Sequence, residues 1–140
     1  MTSVTITLDF NYSYEGKKKH IVKMNVTNVL EEIRGNGIDY DIDTINDRGL
    51  EFSLKIEGGS FKEIKDFNYK NMKKIEITSN ITNIGYATFF QCEKLETVIL
   101  PETLTTIGQG AFNDCEKLKS INIPNSVTSI GNGTFRGCRL

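Results

Sequence analysis

The sequence predicts a small α+β unit of order β-β-α-β-β followed by a short solenoid of three 23-residue turns. Three observations lead there. Cys92, Cys115 and Cys138 are each 23 residues apart. Ile84-Gly85, Ile107-Gly108 and Ile130-Gly131 keep that interval, as do Phe89, Phe112 and Phe135. The first sixty residues lack the period and show two-residue apolar alternation broken by a single helix-capping signal. The expected boundaries are 1–60 for a capping α+β domain, 61–71 for a degenerate repeat or junction, and 72–140 for three full turns.

The elements of the first part read in order. Val4, Ile6, Leu8 and Phe10 alternate with polar residues, a strand with one buried face. Ser13–Lys19 is polar and contains Gly16, as a hairpin loop requires, and His20–Val26 is the return strand. Asn28 with Glu31 forms an N-x-x-E capping box ahead of Val29, Leu30 and Ile33, and Gly35 and Gly37 end that short helix. Ile38, Tyr40 and Ile42 alternate with aspartates as a third strand. Leu50, Phe52, Leu54 and Ile56 form a fourth. A unit this small is marginal alone, so it is expected to close the open end of the solenoid as well.

The repeats are Met72–Lys94, Leu95–Lys117 and Leu118–Leu140. In the last, Ile121-Asn122-Ile123 reads as a short strand that Pro124 ends, because proline has no N–H for the ladder. Val127 and Ile130 return inward, Gly131 permits a tight approach to the neighbouring turn, and Phe135 and Cys138 refill the interior. One turn cannot bury its own apolar edge, whereas stacked turns bury it in ladders of like residues. Upstream, the 23-residue count places Phe61 in the Ile84 column and Tyr69 in the Cys92 column.

Leu118-x-x-Ile121-x-Ile123-Pro124-x-Ser126-Val127-x-x-Ile130-Gly131-x-x-Thr134-Phe135-x-x-Cys138, with Leu95–Cys115 as a second good copy, resembles the BspA-type leucine-rich repeat. The first copy departs from the motif, with Thr78 at the proline position and Met72 at the leucine position. The resemblance implies a leucine-rich-repeat solenoid with a sheet on one face. The family's members are mostly surface proteins of bacteria and some protozoa that bind host or matrix proteins. The stretch Met1–Val4 shows no basic or apolar leader pattern, so the chain as it stands reads as cytoplasmic.

Composition narrows the function classes. Hydrophobic residues make up 38% and charged residues 25%, a folded rather than a disordered chain. No apolar run approaches the ~20 residues that span a bilayer. Net charge is −1, which argues against a nucleic-acid binder that must displace counterions. The cysteines fall in one repeating column and read as reduced core thiols, and no C-x-x-C supplies a zinc site. Asp39, Asp41 and Asp43 fail as a calcium loop, because Thr44 and Leu50 stand where glycine and glutamate are needed. Lys17-Lys18-Lys19-His20 reads as a solvated hairpin tip, and the single histidine completes no triad. No cofactor, metal or catalytic residue is predicted.

What remains is the outward side of the solenoid strands. Its columns are Lys74, Thr97 and Ser120 beside Glu76, Ile99 and Asn122. Leucine-rich repeat proteins often recognise proteins through such a face, so these six residues are the candidate partner-binding set, with Ile99 as the apolar anchor. The leading expectation is a non-catalytic protein-interaction module, adhesin-like or partner-binding. The alternative is a free-standing intracellular inhibitor or regulator that docks on an enzyme or nucleoprotein complex. The third repeat stops at Leu140 without a polar cap, which raises the expectation of self-association through that end or of continuation into a longer array.

Overall fold

The computed structural model describes residues 2–14, 17–26, 49, 51–58 and 62–140. Among them run nine strands: β1 (Thr2–Tyr14), β2 (Lys17–Val26), β3 (Phe52–Gly58), β4 (Glu63–Ile64), β5 (Met72–Ile77), β6 (Asn83–Ile84), β7 (Thr97–Ile99), β8 (Thr106–Ile107) and β9 (Ser129–Ile130). One sheet has the order β2-β1-β3-β5-β7 and the other β4-β6-β8-β9. The second is parallel throughout, as stacking of successive turns demands. The predicted helix after Asn28, the strand over 38–42 and the aspartates 39, 41 and 43 lie outside the described residues.

The β1–β2 hairpin is tighter than its sequence implies. Strand pairing extends to Tyr14 opposite Lys17, so the polar stretch 13–19 is largely strand and the lysine run begins β2. The predicted fourth strand is β3. Its place is also different: it pairs antiparallel with β1 and parallel with β5, with Leu54 opposite Ile75 and Ile56 opposite Ile77. β3 is therefore the strand of an additional, shorter turn stacked on the first full repeat.

In that turn Ile64, rather than residue 61, pairs with Ile84. The physical reason is a shorter corner. Five residues lead from Ile64 to Tyr69, against eight from Ile84 to Cys92. The full turns carry two left-handed residues in this corner, Ala87 (φ 52°) and Gln91 (φ 58°) in the first, whereas the short turn manages with Asp66 alone (φ 61°). Tyr69 does hold the thiol position, and the amide of Met72 donates to its carbonyl as that of Leu95 does to Cys92.

The interior is a set of columns. Ile75 and Val98, Ile77 and Leu100, Ile81 and Leu104, and Ile84 and Ile107 are all buried. Phe89 and Phe112 stack at 5.1 Å and Phe112 and Phe135 at 5.7 Å, with interplanar angles of 16° and 5°. Such pairs add roughly 0.5–1.5 kcal/mol each beyond area burial. In the third turn Ile130 is 47% exposed.

The third turn also lacks the strand expected at Ile121-Asn122-Ile123. Proline explains the trend. In the first full turn Thr78 donates its N–H to the Ile56 carbonyl at 2.9 Å and β5 is six residues long. Pro101 removes the equivalent donor and β7 is three residues long. Pro124 removes it again, and residues 121–123 join no strand of that sheet.

Vertical spacing is fixed by the glycine column. A Cβ on Gly108 would stand 2.7 Å from the carbonyl carbon of Gly85, and one on Gly131 would run into the backbone of Gln109. These glycines serve close approach, since their φ angles are not among the positive ones. The backbone bonds at this level are Gly108 N–H to Ile84 C=O and Gly131 N–H to Ile107 C=O, both 2.8 Å.

Two substitutions separate close approach from backbone twist. Gly108→Ala should destabilise the fold by about 1–3 kcal/mol through overpacking. Ala87→Gly, which relieves a left-handed non-glycine residue, should be neutral or mildly stabilising. Urea denaturation of both variants against the parent chain measures the two effects.

Candidate functional site

The candidate set begins with alternation. In β5 and β7 the residues Ile75, Ile77 and Val98 face the core, so Lys74, Glu76, Thr97 and Ile99 face outward. The parallel register places Lys74 beside Thr97 and Glu76 beside Ile99. Those four predicted residues therefore form one contiguous patch. Ser120 and Asn122 are exposed but belong to no strand. A groove of ≈ 450 Å³ opens between Val98–Leu100 and Asn122–Asn125.

The patch is wider than those residues. Ser53, Lys55 and Glu57 of β3 continue the outward rows, and Lys55 lies opposite Glu76. The Lys55 ammonium sits 3.7 Å from Glu57 and 3.6 Å from Glu76, and Lys74 reaches Glu76 at 4.0 Å. A depression of ≈ 360 Å³ over this part of the sheet is lined by Thr7, Asp9, Lys55, Lys74 and Glu76 among others. The alternation of Phe52, Leu54 and Ile56 with Ser53, Lys55 and Glu57 carried the signal.

The electrostatics are those of an interleaved, nearly neutral surface. Ion pairs this exposed stabilise little, typically ~0–1 kcal/mol. Ile99 is 42% exposed and stands as the apolar point of the patch.

The cysteines fall where the period puts them, in one column behind the phenylalanines. All three are free thiols. Cys92, Cys115 and Cys138 donate to the carbonyls of Phe67, Phe89 and Phe112 at 3.4, 3.1 and 3.1 Å. Hydrogen bonding to Cys115 and then burial push the Cys92 thiol far up. Burial, reinforced by Cys115, raises Cys138 from 9.0 to about 11. Cys92 and Cys138 thus stay protonated at neutral pH, the opposite of an activated nucleophile. Among the described residues no group of three His, Cys, Asp or Glu side chains is placed to hold a metal. No helix of the described residues is long and apolar enough to cross a membrane.

With this geometry in hand, comparison with known proteins identifies the class. The family model described as BspA type leucine-rich repeat region (6 copies) matches residues 55–140. The chain belongs to that family. Its match begins inside β3, in keeping with the added turn. A leucine-rich repeat protein from Eubacterium ventriosum ATCC 27560 is similar, with a TM-score of 0.55 and 29% identity over 60% of this chain and 25% of that one. A leucine-rich repeat protein of T. pallidum (TpLRR) aligns over 60% of this chain and 59% of that one at 21% identity, with a TM-score of 0.43. The chain thus spans a quarter of the length of the E. ventriosum protein. No curated protein matches. Leucine-rich repeat proteins generally mediate protein–protein interaction.

The thiol column makes a pH prediction. Because the folded pKa of Cys138 lies above its unfolded value, its contribution is complete below pH 9 and is lost as pH rises towards 11. The urea midpoint of the parent chain should fall through that window, and Cys138→Val should fall less steeply.

Proposed function

We propose that the outward face of β3, β5 and β7 is a non-catalytic recognition surface for a protein partner. The observation that carries this reading is the contiguous patch around Ile99, held on a parallel ladder and framed by the Lys55–Glu76–Lys74 ion pairs. A rigid surface loses little conformational entropy on binding, so a modest apolar anchor with a polar rim suffices for association. Ser120 and Asn122 extend the surface across the groove beside β7, where a partner side chain would gain contacts on two sides. The adhesin-like and intracellular-regulator readings both use this surface and differ in where the partner resides. Pull-downs from cytosol and from extracellular matrix separate them.

Alanine at Glu76, Ile99 and Asn122 should weaken partner capture by about tenfold or more, as expected for an interface centre. Each variant should keep the parent unfolding free energy in urea to within about 0.5 kcal/mol, because these are surface positions. Surface plasmon resonance with the captured partner measures the first effect. Undiminished capture by the triple variant would place the site elsewhere.

A further inference from the structure

The corner of the solenoid opposite the strand patch carries a second, differently built surface. Its floor is the column Ala87, Gly110 and Gly133, 23 residues apart and all left-handed, with φ of 52°, 65° and 64°. A Cβ on Gly133 would meet nothing within 4 Å, and one on Gly110 only Asn113 at 3.9 Å, so the floor is low because side chains are missing from it. Two walls rise beside it at the same period. One is Tyr86, Gln109 and Asn132; the other is Phe90, Asn113 and Arg136. Together they enclose a trough of ≈ 310 Å³ that runs along the stacking direction.

The chemistry of the walls is selective. Tyr86 is 74% exposed, the most exposed of the large hydrophobic side chains among the described residues. At that end two aromatic rings flank Ala87. Further along stand three planar amides and one guanidinium, with no carboxylate in the lining. The floor's backbone is already engaged between turns, since Ala87 N–H donates to the Gln109 carbonyl and Gly110 N–H to that of Asn132. An extended peptide therefore finds no free strand edge to pair with here. A single cation is too few for a nucleic-acid backbone. A ligand that suits the trough offers flat apolar faces and a rim of hydroxyls, repeating at the ~4.8 Å separation of adjacent turns.

We infer that the trough binds an oligosaccharide of pyranose units. One ring face stacks on Tyr86 beside Phe90, and successive hydroxyls meet Gln109, Asn113 and Asn132. A uronate carboxylate is taken by the Arg136 fork, the side chain suited to bidentate capture of a planar anion. This site is independent of the strand patch.

The test is an amide chemical-shift titration of the full chain with an oligogalacturonate, and with a cello-oligosaccharide as the same ring type without carboxylate. Oligogalacturonate should shift amides of 86–90, 109–113 and 132–136, with the neutral sugar about tenfold weaker. Tyr86→Ala should reduce affinity by about tenfold. Gly110→Asn, a residue that tolerates the left-handed region while filling the floor, should abolish binding with the rest of the spectrum preserved. Equal affinity for the two sugars would overturn the part assigned to Arg136. The site itself fails if neither sugar shifts these residues at millimolar concentration, if the shifts survive both variants, or if a proline-rich or acidic peptide alone produces them.

Discussion

The glycine column sets the height of every turn. Where Gly108 passes under Gly131 and over Gly85, no side chain fits between backbones, and the amides reach the carbonyls of the turn before at 2.8 Å. That contact fixes the period, and the period aligns everything else. Phenyl lies over phenyl and each thiol finds a phenylalanine carbonyl. Where Thr88 and Thr134 replace Ala111, their hydroxyls bond at 2.8 and 2.7 Å to the carbonyls of Gly85 and Gly131. Buried polar groups are costly unless paired, and the register adds a second acceptor from the turn before, the Ile64 carbonyl for Thr88 at 3.3 Å and the Gly108 carbonyl for Thr134 at 3.2 Å.

The same register organises the surface. Outward residues recur in straight rows at the spacing of adjacent strands, so a handful of side chains presents a repeating pattern. On the strand side that pattern is charged and interleaved around Ile99. In the corner it is aromatic and amide-rich over a floor of small residues. Thr82, Thr105 and Thr128 form a third row, each hydroxyl donating to a carbonyl of the turn before.

The full turns were legible in the sequence because their columns repeat without insertion, and Gly131 was recognisable as a close-approach residue. The short turn was not. Three residues are missing from its corner, so a fixed count of 23 landed on residue 61 when Ile64 holds the column. The pairing of β3 with β5 is a long-range contact that its alternation alone does not specify. The third-turn strand does not form, since alternation at Ile121–Ile123 says nothing of a ladder weakened by Pro124. The corner trough escaped notice because its walls vary in type. Only Gly110 and Gly133 hinted at its left-handed floor, and Ala87 broke the hint.

Turns that are interchangeable at a strict interval tolerate the loss of one, and deletion tests this most directly. Removing Leu95–Lys117 takes out one whole period and leaves Gly85 under Gly131, so the shortened chain should keep a cooperative urea transition and its β-type circular dichroism. Removing Leu95–Glu116, one residue fewer, shifts every later column by one position and should abolish that transition. Equal behaviour of the two deletions, whether both fold or both fail, would contradict the register as the organising constraint.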